Sequence, residues 1–416
     1  MRPSPRAGRR GERMDAQIPQ PIHSPPPSDN SDGTTVNVAG HTLTLFTEAP
    51  RLFTAMLDDI HSARHCIWLE TYIFANDQSG RTIAAALMQR ARDGLDVRLL
   101  FDAVGSQRTG AEFFAEMAAA GVKVHAYHSV WEALRRFSFF TIFNRRDHRK
   151  LLIVDERSAY FGGMNIVDHG RDLRFLNVDE QHAPTTGWRD LHIRLVGPQQ
   201  AEVAGSFERS WRHAKREHLS RRPKRYRRVK LVDGEDSIHF FDSGPGLKFS
   251  RGPRVYRHVL RGARKNIVIA MAYFIPVGRV MGQLLAARRR GVRMSVILPA
   301  RTDVLVAQYA ARHLYKRLLR AGIRLFERDN RVMHTKLLVV DRQWSVVGSS
   351  NMDPRSLWIN LEFLAVIRSR RFARAACRIC GYEMRHSRRI TAEYLARRST
   401  WQRIVDFLAY CLRWWL

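Results

Sequence analysis

Two 18-residue windows of this chain, HRKLLIVDERSAYFGGMN at 148–165 and HTKLLVVDRQWSVVGSSN at 334–351, are identical without gaps at eight positions. Average composition gives about one such match, so the chain is an internal duplication. Neighbouring segments repeat in the same order. CIWLETYIF (66–74) is answered by IVIAMAYFI (267–275), RTIAAALMQRARDG by VMGQLLAARRRG, and DVRLLFD by VRMSVILP. Each copy reads strand, helix, strand, which predicts two α/β halves, each a mostly parallel or mixed sheet flanked by helices.

The repeated window carries chemistry. A histidine and a lysine stand at i and i+2, followed by LLIV or LLVV and an aspartate. On a strand, i and i+2 face the same way, so His148 projects with Lys150, and His334 with Lys336. Fourteen residues after each histidine come Gly162-Gly163 or Gly348-Ser349, and after seventeen come Asn165 or Asn351. Small residues let backbone N–H groups approach an anion, and an asparagine amide adds a neutral donor. Gly163, Ser349, Asn165 and Asn351 are therefore expected to bind phosphate. One histidine can attack or protonate, whereas phosphodiester transfer needs both a nucleophile and an acid for the leaving oxygen. Two half-sites brought together supply both, with no metal or cofactor required.

The rest of the chain divides around these motifs. Seven of the 16 prolines fall in the first 27 residues, so 1–35 reads as a disordered, basic, proline-rich tail, with order starting at an alternating strand over 36–46. The first half is expected over 36–211, a basic linker over 212–235, the second half over 236–400 and an amphipathic tail over 401–416. Within 212–230, ten Arg or Lys face one Glu, which suits either a passive hinge or a polyanion contact. The four cysteines are too few for a disulfide framework, and the lone pair Cys377 and Cys380 reads as reduced thiols.

In this sequence H-x-K-x4-D followed by G-G/S-x-N, twice, resembles the phospholipase D superfamily over roughly residues 36–416. NRRDHRK, LETYIF, GWRDLHIRLVGP and the ending WQRIVDFLAYCLRWWL are similar to bacterial cardiolipin synthases of the type without an N-terminal pair of transmembrane helices. The resemblance implies two halves packed about a pseudo-two-fold axis with the histidines meeting at the interface. It implies a catalytic set of His148, Lys150, Asp155, His334, Lys336 and Asp341. Asp155 and Asp341, seven residues downstream of the histidines, read as structural members of that motif. The resemblance also implies a carboxylate that orients each histidine, Asp190 in the first half and Glu362 in the second, 42 and 28 residues after the histidine of the same half. The implied reaction moves a phosphatidyl group from one phosphatidylglycerol to another through a phosphohistidine, releasing glycerol. By analogy His148 is the nucleophile and His334 the acid and base.

Charge and aromatics bear on the substrate. Lys and Arg number 70 against 39 Asp and Glu, a net +31, which points to a polyanionic partner and excludes an acidic disordered chain. The alternatives are an anionic phospholipid surface, a nucleic acid cleaved without metal, or a phospholipid hydrolysed rather than transferred. Between Gly121 and His148 the first half holds 15 residues more than the second half holds between Gly322 and His334. This insert, about 129–146, mixes Trp131, Phe139, Phe140 and Phe143 with arginines, a composition suited to a membrane interface. The tail with Trp414 and Trp415 is either a second anchor or a helix docked on its domain. These features favour phospholipid over nucleic acid. No stretch reaches about 18 consecutive apolar residues, so the expected location is peripheral, on the cytoplasmic face of the bacterial inner membrane.

Overall fold

The structure is a computed structural model, described here over residues 31–127, 145–168, 187–215, 236–244 and 250–415. The first half builds an eight-stranded sheet from β1 Thr34–Val38, β2 His41–Phe46, β3 Cys66–Thr71, β4 Asp96–Asp102, β5 Lys123–Tyr127, β6 Leu151–Val154, β7 Ser158–Gly162 and β8 His192–Val196. Its order is β1-β2-β8-β7-β6-β3-β4-β5. The second half repeats it with β9 Ser237–Ser243, β10 Asn266–Met271, β11 Arg293–Pro299, β12 Arg324–Arg328, β13 Lys336–Val340, β14 Trp344–Gly348, β15 Glu362–Arg368 and β16 Ser387–Ile390, in the order β16-β12-β11-β10-β13-β14-β15-β9. Both sheets are mixed. Parallel pairing is confined to β3-β4-β5 and β10-β11-β12, the strands joined through helices, and the motif strands add antiparallel ladders.

The helices are α1 Ala49–His61, α2 Gln78–Arg92, α3 Ala111–Ala119 and α4 Gln200–Ala214, then α5 Gly252–Gly262, α6 Gly278–Arg289, α7 Leu305–Arg320, α8 Pro354–Trp358, α9 Arg370–Arg385, α10 Ala392–Ala396 and α11 Thr400–Cys411. No helix among the described residues is long and apolar enough to cross a membrane.

Two boundaries differ from the sequence reading. The stretch 36–46, read as one strand, is a hairpin: Ala39 and Gly40 both take positive φ (51° and 76°), the two-residue turn that matches strand twist. Its first strand starts at Thr34, inside the segment assigned to the tail, and Asp32 accepts the Thr47 N–H at 2.6 Å. Most of the 212–235 linker and the 129–146 insert, including Trp131, Phe139, Phe140 and Phe143, lie outside the described residues.

The apolar runs of the motifs explain how the halves meet. On β6, Leu151 and Ile153 face a core shared by both halves, while Leu152 and Val154 face the first half's own helices. On β13, Leu337 and Val339 join that shared core and Leu338 and Val340 the second half's own. Strands buried on both faces need apolar residues at every position, which LLIV and LLVV provide. Phe161 and Phe363 touch across the shared core with ring centroids 5.7 Å apart.

Candidate active site

Two short backbone bridges stitch the halves together beside the motifs. Asp147 pairs with Leu361, with the His148 N–H donating to the Leu361 carbonyl at 3.0 Å. Arg189 pairs with Met333, with the His334 N–H donating to the Arg189 carbonyl at 2.6 Å. Each bridge joins the residue before a histidine to the residue before a carboxylate of the opposite half, the reciprocal contact a pseudo-two-fold axis requires.

The consequence is that the orienting carboxylates cross over. His334 Nδ1 lies 2.7 Å from Asp190 Oδ2, and His148 Nδ1 lies 3.2 Å from Glu362 Oε1. The same-half pairing expected from chain order is therefore corrected: Asp190 serves His334 and Glu362 serves His148. A carboxylate can only accept, so it fixes the Nδ1–H tautomer and leaves each Nε2 for chemistry.

The two pairs are electrostatically unlike. Burial works to raise Asp190, but Lys336 and His334 outweigh it and hold the carboxyl at about 2. Burial pushes Glu362 up to about 7, although Lys150 and Ser349 oppose it. His148 is held well below its ordinary value, first by burial and then by Lys150 and Lys336, so this imidazole is neutral. A fixed anion at short range thus faces His334, while His148 sits beside a carboxyl that titrates near neutrality.

The motif residues sort into three groups. His148, His334, Asn165 and Asn351 line one cavity of about 640 Å³. Each asparagine accepts a backbone N–H through its side-chain oxygen, from Ile73 at 3.2 Å and Tyr273 at 3.3 Å, so its NH2 is the group offered to a ligand. Lys150 and Lys336 are buried behind the histidines. Lys150 Nζ donates to the His148 carbonyl at 2.7 Å, and Lys336 Nζ to Asp190 Oδ2 at 3.2 Å. Burial lowers Lys150 to about 7 despite the opposing charge of Glu362.

The third group departs from expectation. The Gly163 N–H donates to the Leu191 carbonyl and the Ser349 N–H to the Phe363 carbonyl, so neither amide is available to a phosphate. Their small size serves the carboxylates instead. A Cβ at Gly163 would stand 2.6 Å from Asp190 Cγ, whereas the Ser349 hydroxyl donates to Glu362. The Gly/Ser difference between the windows thus matches the Asp/Glu difference elsewhere in the chain.

Asp155 and Asp341 do not reach the cavity. Asp155 accepts the N–H groups of Arg64, His65 and Cys66, and Asp341 those of Arg264, Lys265 and Asn266, clamping the start of β3 and of β10. Both adopt positive φ (52° and 54°), which a short acidic residue tolerates. Both belong to the motif that carries the catalytic set, and the contacts they make are structural, as their distance from the histidines along the strand suggested.

Sequence reasoning missed several cavity residues. The Tyr72 ring meets His148 edge-on at 5.0 Å; Tyr273 and Trp188 flank His334 at 6.0 and 5.5 Å. Tyr273 also donates to Asp303 Oδ1 at 2.5 Å. Arg146 and Arg355 add cations to the wall, and burial raises its Asp353 carboxyl to about 6. The repeat offered a signal for the tyrosines, since one follows each of β3 and β10, offset by a single residue.

Comparison with known proteins matches this architecture. Residues 56–175 and 256–379 fit the family described as "Cardiolipin synthase, PLD-like domain". The chain is 31% identical to cardiolipin synthase A of Klebsiella pneumoniae over 90% of its own length and 75% of that protein. It is 27% identical to a cardiolipin synthase of Alkalihalophilus pseudofirmus over 87% and 70% of the two chains. The fold is shared with phosphatidylserine synthase of Haemophilus influenzae, at a TM-score of 0.69 and 13% identity over 90% of this chain and 95% of that one. Duplicated motifs, matched halves and these relatives together place the chain in the cardiolipin synthase family of the phospholipase D superfamily.

Proposed function

We propose that this protein transfers a phosphatidyl group from one phosphatidylglycerol to the terminal hydroxyl of a second, forming cardiolipin and glycerol at an anionic membrane surface on the cytoplasmic side. The observation that carries this reading is the pair of histidines in one cavity, each backed by a buried carboxylate from the opposite half.

In the first step His148 Nε2 attacks phosphorus. The N–P bond forms, the bond to the glycerol oxygen breaks, and His334, oriented through its Nδ1 by Asp190, gives that oxygen its proton. In the second step the acceptor hydroxyl gives its proton to His334 as its oxygen bonds phosphorus and the N–P bond breaks. The NH2 groups of Asn165 and Asn351 hold the non-bridging oxygens, and Lys150 and Lys336 stabilise the charge from behind. His148 suits the nucleophile because its environment keeps it neutral.

The test is one incubation with a chelator present. Phosphatidylglycerol in mixed micelles is expected to yield cardiolipin and glycerol in equal amounts, and both H148N and H334N to abolish it. Free phosphatidic acid in place of cardiolipin would assign hydrolysis, and cleavage of DNA with lipid untouched would overturn the reading.

A further inference from the structure

Helix α11 is packed with the wrong side inward for an ordinary surface helix. Its buried positions are Asp406 and Ala409, and Asp406 pairs with Arg398 at 3.0 Å. Tyr410 is half-buried and stacks on His313 of α7 at 4.7 Å. The large apolar residues, Trp401, Ile404, Leu408, Leu412 and Trp415, follow the helical period of three and four and face outward. Trp401 is 70% exposed and Trp415 58%. Among the described residues, the exposed large hydrophobics fall in this segment and in Val304–Val306, at the start of the helix against which α11 packs.

These two segments meet at the active site, because Val304 and Trp415 both line the cavity that holds the histidines. The tail is tied there: Arg355 Nη1 donates to the Trp415 carbonyl at 3.3 Å, and Trp414 packs on Trp358 with centroids 5.7 Å apart. The apolar surface is therefore a rim continuous with the cavity mouth.

We infer that this rim, α11 with the Val304–Val306 turn, is the face that inserts into an anionic phospholipid bilayer and sets the cavity mouth against it. The inference rests on the phospholipid substrate proposed above. A cavity of about 640 Å³ suits a drug-sized ligand, so the acyl chains of two phospholipids remain outside it and need an apolar medium at its mouth. Charge agrees with that occupant. Residues 391–416 carry four arginines against one glutamate and one aspartate, and Arg397 and Arg403 are exposed beside the apolar face. Apolar side chains outward, with basic residues among them, make an interfacial helix.

Flotation with liposomes tests this without requiring turnover, so its result stands apart from the transferase assay. Wild-type protein is expected to float with phosphatidylglycerol/phosphatidylcholine vesicles and more weakly with phosphatidylcholine alone. I404S/L408S/L412S is expected to bind the mixed vesicles about tenfold or more weakly, and L305S/V306S to weaken binding in the same direction. I404F/L408F/L412F, which keeps the apolar face, is expected to retain binding. Equal flotation of the serine triple variant and wild type overturns the inference, as does failure of the wild type to float. A triple variant that floats normally but sediments as monomer where wild type is a dimer assigns the face to a second copy of the chain instead, and equally overturns it.

Discussion

The glycine in the first window makes a demanding test of how the site is built. A methyl group at position 163 would stand 2.6 Å from Asp190 Cγ and closer still to both carboxylate oxygens. Gly163 does not have positive φ, so G163A introduces no backbone strain and acts through this collision alone. Asp190 must move, and with it go the 2.7 Å contact to His334 and the 3.2 Å contact to Lys336. Losing a hydrogen bond to a charged group costs about 2 kcal/mol, and that much off transition-state stabilisation is about thirtyfold in rate. The mirror variant in the second window, S349G, removes the hydroxyl that donates to Glu362 and accepts the Phe363 N–H, and creates no clash. It is expected to cost about 1 kcal/mol, or about fivefold. The assay is phosphatidyl transfer in mixed micelles at saturating lipid, with thermal melting run alongside to separate misfolding from lost orientation. G163A within about twofold of wild type, or S349G worse than G163A, would refute the reasoning that these positions are matched to their carboxylates.

Glu362 titrates near neutrality because burial lifts it from 4.5 to about 7. The transfer rate should therefore rise with pH through about 7, as the ionised carboxylate takes the Nδ1–H of His148, and E362Q should lose that limb. A carboxyl raised on folding contributes stability that is complete below about 4.5 and lost as pH rises through about 7, so the melting temperature of E362Q should gain on wild type between about pH 4.5 and about pH 7 and level off above that. Asp190 has the opposite sign: held at about 2, its contribution is present above 3.8 and is lost as pH falls through about 2. D190N should lower the rate by about a hundredfold at neutral pH, with a stability deficit that closes in strong acid. D155A should lose about 2 kcal/mol in a denaturant titration yet keep its rate at permissive temperature, because three backbone N–H groups lose their acceptor and nothing in the cavity moves.

Much of this site was legible as pattern. The two windows marked the histidines, lysines and asparagines, because spacing along a strand and the run of apolar residues after it are local properties that the sequence displays directly. The acidic residues Asp190 and Glu362 were also found, although their partners were not. Which histidine each serves depends on the bridges Asp147 to Leu361 and Arg189 to Met333, contacts between residues far apart in the chain. Gly163 and Ser349 were misread for a related reason: a small residue fits an anion nest and a crowded carboxylate equally well, and only the position of the neighbouring strand distinguishes them.

The C-terminal segment divides in the same way. The sequence marked 401–416 as an amphipathic tail, either an anchor or a docked helix, and the structure shows a helix over Thr400–Cys411. The sequence could not say which side faces the protein. Packing against α7 through Ala409 and Tyr410, with Asp406 tied to Arg398, turned the apolar side to the cavity rim. The sequence by itself determined the duplication, the chemistry of each half-motif and the basic charge. Tertiary structure alone decided the exchange of carboxylates between halves, the clamping role of Asp155 and Asp341, and the outward face of the last helix. Those outcomes depend on how distant surfaces meet, and no local spacing encodes that.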